Sequence, residues 1–272
     1  MLKEAAMPAE GMRIGTAEMV LWTGSVVMLL ILALCALFWS VDKRLLNEAS
    51  LWAKPMKFAI SLAIHMATLA LIVAVMSDGA RAGGLIAATA AACALASLGE
   101  ITYIVVQAAR GQASHFNMAT PFTRGMYTAM AVGAVILTVA AAIIGLVAAT
   151  DRQAEIAPAL RHAIALGLIG GTILTLVTAF TIGGRLSPHV PAEPAGGARM
   201  ALTGWSLRVG DIRVSHFLAT HMMQVVPLAG LAAARLLPGG AGVAAVWLVA
   251  AAWSALVLVA YQQALAGRPL FG

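Results

Sequence analysis

The sequence predicts an all-α fold: a polytopic membrane protein of seven transmembrane helices, with the N-terminus outside and the C-terminus in the cytoplasm. Three observations carry this expectation. Hydrophobic residues make up 61% of the chain and charged residues 10%, whereas soluble domains carry roughly a quarter charged residues. The apolar residues come in blocks of about 20, the length that crosses about 30 Å of hydrocarbon as a helix. Lys and Arg lie between the blocks, 11 on the segments that share one side and 6 on the other, and the richer side is cytoplasmic.

Residues 1–17 are mixed in character and read as irregular or interfacial. The first span is 19–39. It is too long for the apolar core of a signal peptide, and Asp42-Lys43-Arg44 follows it where a cleavage site of small residues would stand. The remaining spans are 58–76, 85–108, 126–149, 163–182, 214–236 and 242–265. Residues 183–213 form a long cytoplasmic loop. Its Pro- and Gly-rich part, Ser187–Gly197, reads as a flexible linker, and the part from Gly204 to Arg213 leads into span six. The whole chain, 1–272, is one helical domain.

The net charge of +6 comes from residues flanking the spans. It points to topology and anionic lipid, with no nucleic acid as partner. Cys35 and Cys93 sit inside apolar blocks and read as small buried hydrophobes, outside any disulfide framework. In span five Gly167, Gly171, Thr175 and Thr178 share a face that allows close packing. Pro227 removes a backbone hydrogen bond in span six and predicts a kink. His162 and His189 read as solvated. The lipid bilayer is the first partner implied; a homo-oligomer or a larger membrane complex is compatible with the composition.

The polar residues inside the spans are the informative ones. Ser97, Glu100, Tyr103, Gln107 and Arg110 recur at spacings of three or four, one stripe on a helix. Such a stripe must face protein or a water-filled cavity. Span two carries Lys54, Lys57, Ser61, His65 and Thr68 on one face, and span six carries His216, His221 and Gln224. His65, Glu100 and His221 each fall roughly 12–13 Å below the cytoplasmic edge at about 1.5 Å per residue. Gln112, His115, Asn117, Asp211 and Arg213 make a shallower layer at the same face. His115 and Asn117 lie in a segment expected to fold back towards the cavity. Asp211 and Arg213 are expected to find partners elsewhere, Arg110 being the candidate for Asp211.

His65, Glu100 and His221 on three helices suit a zinc or iron ion as ligands. Equal depth equally suits His65 and His221 as axial ligands of a b-type haem. Glu100, His115, His216 and Asp211 are the candidates for catalytic proton transfer. Lys57, Gln107, Arg110, Asn117, Arg213 and Gln224 are the candidates for holding a substrate. Lys54 reads as a snorkelling anchor. The bland alternative is a network of interhelical hydrogen bonds.

Asn47–Ser61, Gln112–Asn117 and Asp211–His221 resemble segments of a family of uncharacterised bacterial seven-helix membrane proteins. That resemblance implies a bacterial cytoplasmic membrane and no particular activity. Ser61 and His65 also resemble the Ser-x-x-x-His of the alkaline ceramidase and adiponectin receptor superfamily, with Glu100 where that family has an Asp. Its paired histidines are spaced His-x-x-x-His on the last helix, whereas His216 and His221 are differently spaced and lie on span six. The resemblance implies zinc-dependent hydrolysis.

Three functions follow from these residues. One is a metal- or haem-binding membrane enzyme or redox protein acting on a lipid-soluble substrate. The second is a proton-coupled small-solute transporter or membrane sensor without metal. The third is a structural accessory subunit.

Overall fold

A computed structural model describes residues 15–194 and 196–272, so the reading of residues 1–14 and of Ala195 falls outside it. The described chain is all-α apart from two minimal strand pairs. It carries seven helices long and apolar enough to cross a membrane: α1 Thr16–Val41, α2 Ala53–Ala74, α3 Gly84–Ala109, α4 Pro121–Thr150, α5 Pro158–Arg185, α6 Ile212–Leu236 and α7 Gly239–Leu265.

Three helices, α2, α4 and α5, start five residues earlier than the hydropathy suggests. α2 takes in Lys54, Pro55 and Lys57, because Pro in a first turn lacks only an N–H that has no intrahelical partner there. α4 starts at Pro121, with Thr120 as N-cap accepting from the Thr123 amide at 3.1 Å. α5 contains one π turn, Leu166–Gly170, inside its small-residue face. A methyl on Gly167 would stand 2.6 Å from Cδ of Pro227, and one on Gly171 would stand 2.8 Å from Cγ of Met223. These glycines therefore let α5 and α6 approach backbone to backbone.

α2 lies at the centre, against α1, α3 and α4, with a lighter contact to α6. α5, α6 and α7 form a second group that joins the first through α4. Hydrogen bonds tie neighbours where lipid offers no hydrophobic drive: Ser25 Oγ donates to the Ala63 carbonyl (2.9 Å), Thr172 Oγ1 to that of Thr138 (2.9 Å), and Trp253 Nε1 to that of Leu218 (2.8 Å).

The bundle has two unlike ends. The short-loop end holds connections 75–83, 151–157 and 237–238. The long-loop end holds 42–52, 110–120, 186–211 and the C-terminal tail. There the hairpin Leu45–Leu46/Ala49–Ser50 turns through Asn47 and Glu48 at positive φ. The 186–211 connection is folded rather than a free linker. His189–Val190 pairs antiparallel with Gly210–Asp211, and Trp205 stacks on Phe271 of the tail. Gly210 has no alternative here, since a Cβ would overlap the Ala264 carbonyl of α7.

Candidate functional site

The site is built where α2, α3 and α4 meet at the long-loop end. Helical spacing on α3 turns Ser97, Glu100, Tyr103 and Gln107 to one side, and these four are 0%, 6%, 7% and 1% exposed. Glu100 Oε1, Tyr103 OH and Gln107 Oε1 are each buried without a hydrogen-bond partner, while Ser97 meets the Cys93 thiol one turn back. Residues 97–107 span about 15 Å of helix. Glu100 lies over α4 at Gly133, where a methyl would stand 2.6 Å from Oε1. Sequence reasoning missed Gly133 as a neighbour of Glu100; a lone glycine in an apolar span was its only signal.

Lys54 sits above this column. Its Nζ donates to Nδ1 of His115 at 3.0 Å and lies over the Phe58 ring. It is within electrostatic reach of Glu100, Lys57 and Arg213, yet it forms no ion pair among the described residues. Sequence reasoning cast Lys54 as a membrane anchor; the structure gives it a partner inside the protein.

His115 is ringed by Phe58, Phe116 and Tyr127. Burial, and then the Lys54 ammonium, push its imidazole down to about 3, so at neutral pH it is uncharged and accepts from Lys54. The next residue, Phe116, has φ +58°, a left-handed conformation that strains a bulky side chain. The 110–120 segment thus folds inward. Gln107 Nε2 (3.3 Å) and Asn117 Nδ2 (3.2 Å) donate to its Ala113 carbonyl.

A neighbouring cluster closes the 186–211 connection. Asp211 is the N-cap of α6 and accepts from the Arg213 amide (3.0 Å) and Arg213 Nε (2.8 Å). Burial works against its charge, but the Arg213 and His189 hydrogen bonds hold its carboxyl well below the usual carboxylate range. The expected Asp211–Arg110 pairing is therefore corrected. Asp211 is extended rather than helical (φ −124°, ψ 103°), which lets its carboxylate reach two residues forward, while Arg110 is exposed at the end of α3. His189 and Glu193, read as linker, belong to this cluster: His189 Nε2 lies 3.0 Å from Glu193 and 3.6 Å from Asp211. Arg213 also donates to the Gly204 carbonyl (2.8 Å), and Lys57 Nζ to that of Thr203 (3.0 Å).

The remaining candidates point elsewhere. His65 donates from Nε2 to the Leu137 carbonyl (3.3 Å), close to Gly133 on α4. His221 lies near enough to His65 to affect its charge, but its Nδ1 is on Gln224 Oε1 (3.2 Å) and its ring is edge-on to Phe217. His216 Nδ1 pairs with Thr178 Oγ1 (3.0 Å) and ties α6 to α5. His162 is exposed beside Trp247. Among the described residues no three His, Cys, Asp or Glu side chains gather where a metal ion could be held. His65 and Glu100 meet α4 one turn apart, at Leu137 and Gly133, and His221 lies near His65, but the three do not gather as a set that could hold one ion. His65 Nε2 is also bonded to backbone rather than free for an axial haem position.

Nothing matched when the chain was compared with protein-family models, with curated proteins and with solved structures. The structure itself is that of a multi-pass membrane protein of seven apolar helices with a buried polar column on α3.

Proposed function

We propose that the chain is a proton-coupled carrier of small polar solutes in a bacterial cytoplasmic membrane, with Glu100 as the group that takes up and releases the proton. The observation that carries this reading is the buried polar column on α3, in which Glu100 Oε1, Tyr103 OH and Gln107 Oε1 lack a hydrogen-bond partner. Leaving a polar atom unsatisfied in a membrane interior costs several kcal/mol. Three such atoms along one face make sense if water or solute occupies the column in the working protein. An enzyme reading built on a metal lacks comparable support, since no ligand set gathers. The excess of Lys and Arg at the long-loop end assigns that end to the cytoplasm.

The test is proton movement in proteoliposomes with an entrapped pH dye. An ultrafiltrate of cell extract added outside should acidify the lumen for the wild type, and not for Glu100→Gln or empty liposomes. Equal responses from the wild type and Glu100→Gln would remove Glu100 from the mechanism, and no response from either would remove coupled transport.

A further inference from the structure

Lys54 and Glu100 lie within electrostatic reach of each other but form no ion pair among the described residues. Opposite charges in a low-dielectric site attract strongly. Lys54 instead spends a hydrogen bond on a neutral imidazole, His115 Nδ1 at 3.0 Å, which satisfies a donor and leaves the charge. Glu100 Oε1 has no partner. The other nearby acids, Asp211 and Glu193, are committed to Arg213 and His189.

The positive side has a further source. Lys54 lies in the first turn of α2 and Lys57 in the second, and the N-cap Trp52 gives no side-chain cap. Cations there face the positive end of the helix macrodipole, and Arg213 adds to the same field. The mouth therefore has spare attraction for an anionic group. The acceptor side lies on α3: Glu100 Oε1 and Gln107 Oε1 both lack a donor. Between them on the stripe is the unpartnered Tyr103 OH, in the cluster that includes Phe58, the ring under Lys54.

We propose that this site binds a small zwitterion, a molecule with a carboxylate and an amino group a few ångströms apart. Its carboxylate lies against Lys54 at the first turn of α2, and its ammonium donates to Glu100. A simple anion leaves Glu100 unpaired and is repelled by it. A simple cation is repelled by Lys54, Lys57 and Arg213. This assignment rests on the carrier reading for its biological role, and its test is separate.

The experiment is calorimetric titration of the purified full chain in detergent with L-alanine, β-alanine and γ-aminobutyrate, and with butyrate and butylamine as single-charge controls. At least one zwitterion should bind saturably, with neither control matching it. Glu100→Gln and Lys54→Gln should each weaken that binding by at least about tenfold. Glu100→Gln should move preference towards butyrate and Lys54→Gln towards butylamine, a change of preference that misfolding does not produce. The proposal is overturned if no zwitterion binds better than the controls, or if the charge-removing variants leave the preference unchanged. Proton movement without zwitterion binding would leave the carrier standing and remove this substrate class. Zwitterion binding without proton movement would do the reverse.

Discussion

At the short-loop end, Arg81 lies against Glu18, both nearly buried, and Asp151 accepts from the Ser77 amide (2.7 Å) and hydroxyl (3.0 Å). Arg161 there spans the carbonyls of Ala148, Ala149, Asp151 and Ala154, closing the last turn of α4. At the long-loop end the loops are closed by the Asp42–Arg44 and Asp211–Arg213 pairs, but inside the bundle Glu100 forms no ion pair with the Lys54 in its reach, and polar atoms on α3 have no partner. The buried charges of the short-loop end seal the bundle. Those of the α3 column stand apart. The contrast teaches that burial of a charge does not by itself indicate function; the state of its hydrogen bonds separates a structural charge from a working one.

That contrast can be broken by paired substitutions read as thermal stability and proton movement. The largest effect belongs to Arg81→Ala. It leaves Glu18 buried without its partner and should cost about 3–5 kcal/mol of stability, seen as a large fall in melting temperature in detergent. Glu100→Gln should cost far less and yet abolish proton movement, because the lost charge has no partner to strand. If the two variants destabilise alike, the ends do not differ as described.

Gly133→Ala comes next. The added methyl meets Glu100 Oε1, and overpacking of this kind costs about 1–3 kcal/mol. Solute-driven proton movement should fall sharply, while the neighbouring Ala134→Gly leaves it intact. The third effect is one of pH. His115 is held below its ordinary 6.5, at about 3, so its contribution to stability is full above 6.5 and is lost as pH falls towards 3. At pH 5 the loss is at most about 2 kcal/mol by linkage, and His115→Gln should flatten that part of the stability–pH curve. The smallest is Thr178→Val, which removes the His216 hydrogen bond. Such interhelical bonds average about 0.6 kcal/mol, so stability should drop slightly and proton movement stay unchanged.

The fold was legible because a membrane span must be long, apolar and helical, and each of those properties is local. The stripe on α3 was legible for the same reason, since helical spacing fixes which residues share a face. What spacing cannot fix is the direction each face takes. His65 and Glu100 meet α4 one turn apart, at Leu137 and Gly133, whereas His221 bonds Gln224 on its own helix, so depth alone does not make the three one ligand set. Helix boundaries decided Asp211, which caps α6 and bends to Arg213 because it lies one residue outside the helix. His189 and Glu193 were hidden by a linker-like composition, since their partners come from the far end of the same loop. Glu18 and Arg81 show the same limit, each being unremarkable until α1 and the 75–83 turn are brought together.

The central claim is that the α3 column is reachable by water from the long-loop end and sealed at the other. Ser97 is its deepest hydroxyl. In a chain carrying Cys35→Ala, Cys93→Ala and Ser97→Cys, a small membrane-impermeant thiol reagent can be applied to oriented membrane vesicles from either side. Ser187→Cys in the same background marks the long-loop side. The account predicts that Ser97→Cys is modified only from the side that modifies Ser187→Cys. Modification from the opposite side, or from neither, contradicts it.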